Sequence, residues 1–186
     1  NPTLRPERAW GLEAGLDAHL TDPLTLNAGV FQRRERDGID YVRNSPNDLW
    51  RAANIQNLRF TGVETNARWQ VNRRQAIDAG YTGLRGAQAS LGGSLSKYVF
   101  NYPVHAGLAG WRGELGPTVW RARLGAQQRL ARDPYAVFDL YGAWTRGRWQ
   151  PFWQFTNLNA AVYQEIPGVA MPGRGVLAGM EVILRR

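Results

Sequence analysis

Glu13, Asp17 and Asp139 are the carboxylates whose settings invite a catalytic reading, since two carboxylates in different surroundings can serve as general acid and general base. His19 and His105 are the only histidines, and the guanidinium groups of Arg68, Arg121 and Arg123 have the fork that grips phosphate or carboxylate. None of these groups belongs to a motif with defined geometry. Two isolated histidines do not make a metal site, and the chain has no cysteine to add a thiolate. No Gly-rich phosphate cradle and no nucleophile elbow is present, so no cofactor is implied. What the charged groups share is their spacing. In WGLEAGLDAHL, Glu13, Asp17 and His19 occupy odd positions, while Trp10, Leu12, Ala14, Leu16, Ala18 and Leu20 take every even one.

That parity belongs to a strand with two unlike faces, because successive side chains leave a sheet on opposite sides. The pattern recurs along the chain. In LTLNAGVF, Leu24, Leu26, Ala28 and Val30 stand against Thr25, Asn27 and Gly29. In GVETNARWQV, Val63, Thr65, Ala67, Trp69 and Val71 stand against Glu64, Asn66 and Arg68. In TVWRARLGAQQRL, Trp120, Ala122, Leu124 and Ala126 stand against Arg121, Arg123, Gln127 and Arg129. AVFDLYGAW sets Phe138, Leu140 and Trp144 against Asp139 and Tyr141, and GVLAGMEVIL sets Val176, Ala178, Met180, Val182 and Leu184 against Gly179 and Glu181. QAIDAGYTG and PVHAGLAGW are weaker, and Trp111 falls on the polar side of the second unless a bulge or frayed end intervenes.

The pattern predicts about nine antiparallel strands, at 9–20, 24–43, 50–71, 75–84, 101–112, 118–131, 135–145, 149–160 and 173–185. The connections TDP, NRR, GELGP and RGR are tight, and those near 44–49, 85–100 and 161–172 are long; residues 132–134 break this alternation. Short turns at one end and long loops at the other, with an apolar outward face and a polar inward one, describe a transmembrane β-barrel. Trp69, Trp111, Trp120, Trp144 and Trp149 all lie within a few residues of the tight turns, where a membrane-interface girdle belongs. The alternative is a soluble sheet with one wet face. On the barrel reading Glu13, Asp17, Glu64, Arg68, Arg121, Arg123, Asp139 and Tyr141 line a solvated, charge-balanced lumen, as do both histidines. Nine strands then place Asn1 outside and Arg186 in the periplasm.

Composition fits this frame. No apolar run is long enough for a membrane-spanning helix, which leaves a barrel open. The formal net charge is +8, and only Lys97 among the 23 basic residues is a lysine. QRRERDGIDYVR is the densest basic stretch, yet no recognition helix, RNP motif or stacking ladder accompanies it, so nucleic acid is not an expected partner. It reads either as a solvated strand extension above the membrane or as an outer-loop site where Arg33, Arg34, Arg36 and Tyr41 meet lipopolysaccharide phosphates or an anionic ligand. With no initiator Met and no internal linker, residues 1–186 read as one unit cut from something longer.

Three segments resemble the C-terminal barrel of TonB-dependent outer-membrane receptors: NPTLRPE; FTGVETNARWQV; and YAVFDLYGAW followed by FTNLNAAVYQE and PGVAMPGRGVLAGMEV. Their order and spacing cover essentially the whole chain. The resemblance implies a C-terminal part of a barrel of about 22 strands, whose plug and TonB box lie in sequence not present here. It implies TonB-energised uptake of a scarce ligand, such as an iron-siderophore or cobalamin, across the Gram-negative outer membrane. It also makes the luminal residues plug-docking groups, and Asn157, Leu158, Pro172, Gly173 and Arg174 determinants of strand and loop geometry. The chain departs from the family in ending ILRR rather than on an aromatic residue. Two other classes share the alternation: a barrel enzyme (protease or lipase), and a passive porin or adhesin.

Overall fold

The computed structural model describes residues 1–55, 58–88, 93–97, 101–166 and 168–184, so the final Arg185 and Arg186 lie outside the described residues. Nine long strands form one antiparallel sheet: β1 (Arg8–Thr21), β2 (Leu24–Arg36), β5 (Leu58–Asn72), β6 (Gln75–Gln88), β8 (Pro103–Leu115), β9 (Thr118–Arg129), β10 (Tyr135–Trp144), β11 (Trp149–Thr156) and β12 (Gly175–Val182). Each pairs with its sequence neighbour in that order. β1 and β12 stand at opposite ends of the sheet and do not pair with each other, so the sheet is open.

All four tight connections, 22–23, 73–74, 116–117 and 145–148, lie at one end of the sheet. Gly116 and Gly147 supply the positive φ (63° and 82°) that two of these turns require. The turns are also stitched sideways. The carbonyls of Pro23, Arg74, Pro117 and Arg148 accept backbone bonds from Gln70, Glu114, Thr145 and Ile183 of the strand lying beyond each hairpin. One carbonyl at each of these turns is thereby satisfied by protein rather than by water.

The opposite end departs from expectation. The strands expected at 24–43 and 50–71 are each two. β2 ends at Arg36, the backbone turns at Asp37 (φ 55°), and β3 (Gly38–Arg43) pairs with β4 (Arg51–Ile55) and β7 (Leu95–Ser96) in a separate three-stranded sheet. Aspartate tolerates the left-handed region and Gly38 follows it, so Asp37–Gly38 breaks the strand. β11 is shorter than expected for a similar reason: Asn157, at φ 50°, leaves the extended conformation.

Registers fix the faces. Trp111 pairs with Ile77 on one side and Ala122 on the other, which puts it among the apolar outward positions. The irregularity in β8 lies at the far end, between Pro103 and His105. His105 is consequently outward as well, against expectation, and its Nδ1 lies 2.7 Å from the Tyr81 hydroxyl.

Packing is distributed unusually for a protein in water. Along the long strands the outward apolar residues are uncovered, with Leu12 62%, Leu16 65% and Val176 73% exposed. The buried apolar cluster is instead Val42, Ile55 and Leu58, supported by Ala53 and Phe60, under the three-stranded sheet. Lipid accepts exposed apolar side chains whereas water does not. The end of the sheet with the long connections packs a core of its own, while the described residues leave the outward apolar face uncovered.

Candidate functional site

The inward face of the sheet carries the charge. Glu13 and Asp17 of β1, Glu64 and Arg68 of β5, Arg121 and Arg123 of β9, and Asp139 and Tyr141 of β10 share it through continuous registers. Three contacts give members of this set partners across strands, one of them an ion pair. Asn27 Nδ2 donates to Asp17 at 2.6 Å, Arg68 Nε meets Asp78 at 2.6 Å, and Arg121 stacks over the Tyr141 ring at 5.6 Å. Tyr141 in turn stacks on Phe152. A hollow of about 730 Å³ lies over this face, lined by Asn27, Arg68, Asp78, Arg123, Asp139 and Tyr163 among others.

Tyr163 and Glu165 reach this hollow from the long connection between β11 and β12. Burial, with the Glu165 and Asp139 carboxylates nearby, pushes the Tyr163 phenol above its ordinary value, so it stays a neutral hydroxyl at physiological pH. Among the described residues no group of three or more His, Cys, Asp or Glu is placed to hold a metal ion. The two histidines stand on opposite faces, and His19 lies beside a tight turn.

The connection is anchored by Asn157, which is only 2% exposed. Its N–H donates to Asp139 Oδ1, its Nδ2 donates to the Ala161 and Pro172 carbonyls, and its Oδ1 accepts the Ala161 N–H. Asn159 continues the pairing by side chain, accepting the Phe138 N–H and donating to the Ala136 carbonyl. Arg174 Nε closes back on the Leu158 carbonyl. Asn157→Ala orphans several of these buried groups and is expected to lower stability by about 2–3 kcal/mol. Urea unfolding of the full-length protein in detergent measures it, with the exposed Asn47→Ala as the near-neutral comparison.

The four outer-loop candidates are not brought together. Arg33 points inward and pairs with Glu35 of its own strand at 2.5 Å. Arg34 and Arg36 point outward, Arg34 lying 5.9 Å over the Trp10 ring. Tyr41 belongs to β3, where Lys97 lies 5.9 Å over its ring. Parity alone separates Arg33 from Arg34 in any strand. Arg43, stacked 4.4 Å over Trp50 with Lys97 also above that ring, completes an aromatic and cationic group in the outer sheet that motif reading missed. The opening segment braces this sheet: Asn1 donates to Ala52, Arg5 pairs with Asp37, Asn54 bonds both ways with Arg5, and Glu7 accepts the Ile39 N–H.

Residues 1–163 match the sequence profile described as TonB dependent receptor-like, beta-barrel. The chain belongs to this family. As a TonB-dependent receptor barrel it is similar to solved receptors over nearly its whole length. It superposes on the copper transporter OprC with a TM-score of 0.76 at 20% identity, covering 97% of this chain and 32% of that one. It superposes on the pyoverdine outer membrane receptor FpvA from Pseudomonas aeruginosa PAO1, bound to pyoverdine, with a TM-score of 0.73 at 12% identity, covering 97% and 30%. At such identities the likeness is one of fold. A shorter stretch of 67 residues is 28% identical to the vitamin B12 transporter BtuB of Vibrio vulnificus (strain YJ016), covering 36% of this chain and 11% of that protein. The TonB-dependent receptor chain described here thus spans about a third of the length of the solved receptors it matches.

Proposed function

We propose that this chain is the C-terminal part of an outer-membrane receptor that captures a scarce ligand at its outer loops and imports it with energy passed through TonB. The observation that carries the reading is a family barrel sheet whose outward face is apolar and uncovered while its inward face is charged. The ligand is a metal chelate or a cobalamin-like molecule, the classes that the similar copper, pyoverdine and vitamin B12 proteins are named for. The luminal residues Glu13, Asp17, Glu64, Arg68, Arg121, Arg123, Asp139 and Tyr141 dock the plug. Outer-membrane lipid and lipopolysaccharide contact the apolar face. The loop end faces outward and the tight turns face the periplasm. The enzyme alternative draws no support from two histidines on opposite faces.

The test is uptake by a strain lacking its own receptors and carrying the full-length gene, using labelled ferric siderophores and cyanocobalamin with and without TonB. TonB-dependent accumulation of one probe is expected, and TonB-independent flux of all of them would point to a passive pore. Orientation has its own prediction. Protease added to intact cells should cut tags inserted near Asn47 or Gly168 and spare tags near Asn72 or Gly147; the reverse pattern would invert the topology. Gly92, expected in the accessible set, lies outside the described residues.

A further inference from the structure

On the outward face of β1, β2, β5 and β6, every charged residue is an arginine, and all stand at the loop end: Arg8, Arg34, Arg36, Arg59 and Arg85. The outward positions of these four strands hold no Asp or Glu. Arg8 is the cross-strand partner of Arg36, and Arg34 of Arg59; Arg85 lies opposite Thr61, two residues along β5 from Arg59. All five are exposed, and none belongs to the ion pairs formed among the described residues. Like charges directly opposite one another destabilise a strand pair, so two such pairs on one face call for anions from outside the protein.

The position of the row says what kind of anion. Toward the tight turns Trp10 follows Arg8 directly; on the other three strands Gln32, Thr61 and Gly83 come next, and one step further Val30, Val63 and Tyr81 begin the uncovered apolar surface. A soluble anion gains nothing from that boundary, whereas a lipid phosphate is held at it by the acyl chains below. Four neighbouring strands span about 14 Å, wider than one phosphate. We propose that Arg8, Arg34, Arg36, Arg59 and Arg85 form a binding site for the phosphates of a membrane glycolipid whose headgroup carries more than one, of the lipopolysaccharide kind. Guanidinium forks suit phosphate oxygens, and Trp10, under Arg34, packs beside the headgroup. The inference rests on the membrane-embedded reading above and replaces the mixed set of Arg33, Arg34, Arg36 and Tyr41 with residues of one face.

The experiment uses the full-length receptor in detergent micelles, with native mass spectrometry of bound bis-phosphorylated lipid A, the same lipid enzymatically dephosphorylated, and inorganic pyrophosphate. Wild type should bind the phosphorylated lipid at least tenfold more tightly than either other probe. R34Q/R59Q, and separately R8Q/R85Q, should lose at least tenfold of that affinity, while R146Q at the opposite end should lose none. Equal binding of dephosphorylated lipid, pyrophosphate binding as tight as lipid, an unchanged R34Q/R59Q, or an equal loss in R146Q would each overturn the site. Quenching of tryptophan fluorescence by brominated acyl chains separates the two readings. Quenching without phosphate dependence sinks this inference alone, and no quenching sinks the membrane reading together with it.

Discussion

Leu124→Arg is expected to cost the folded barrel about 2–4 kcal/mol, the penalty for arginine on the lipid face near the bilayer midplane. Leu124 sits at the centre of β9 (Thr118–Arg129), pairs with Ala109 and Phe138, and remains 44% exposed. The described residues leave close to half of its surface open, so what lies against that surface decides the cost. In hydrocarbon a guanidinium there must snorkel or drag water inward; in water the same exchange on a strand surface would be nearly neutral. Arg123→Gln, one residue away on the charged face, should be mild because its side chain stays solvated. Leu16→Arg on β1 should repeat the Leu124 effect. Equilibrium unfolding of the full-length receptor in lipid vesicles gives the numbers, and a spin label at position 124 reports its surroundings. Equal small costs at 123 and 124, or a label in contact with water, would remove the membrane from the account.

That contrast is legible in the sequence, because parity is a property of the strand and not of its neighbours. Glu13, Asp17, Arg68, Arg121 and Asp139 could be put on one face from alternation alone, and the registers join those faces across the sheet. Alternation does not reveal where a strand stops cooperating with its sheet. The stretch after Arg36 keeps its period in β3, with Gly38, Asp40 and Val42 buried, yet it serves a different sheet. The sequence holds the clue in Asp37–Gly38, a turn dipeptide. Trp111 misled for the opposite reason. Its neighbours Gly107 and Ala109 are too small to mark the apolar face, and Leu108 sits on the charged one. The Asn157 node was visible only as a resemblance, since its partners at 139, 161 and 172 are brought together by the loop fold.

The isolated chain is expected to carry no ligand across a membrane. Its sheet ends at β1 and β12, and each end presents a row of unpaired N–H and C=O groups. Water would hydrate those rows, but the hydrocarbon core cannot, and each unsatisfied group costs several kcal/mol there. Closing the nine strands on themselves is no escape. An odd number of antiparallel strands forces a parallel seam between β1 and β12, and a barrel near eight strands has an interior that side chains fill. Arg121, Arg123, Asp139 and Tyr141 would crowd that interior and lose the water that now solvates them. The remaining solution is supply of partner strands from the rest of a receptor, of which this chain covers about a third in the solved relatives. Amide exchange tests the edges directly: in the chain alone the amides of β1 and β12 that point away from β2 and β11, in the plane of the sheet, should exchange quickly, while those of β5 and β6, paired on both sides, are protected. In the full-length receptor all four strands should be protected. Liposomes holding the chain alone should show no flux of labelled ferric siderophore or cyanocobalamin, and flux through them would show that these nine strands suffice without partners.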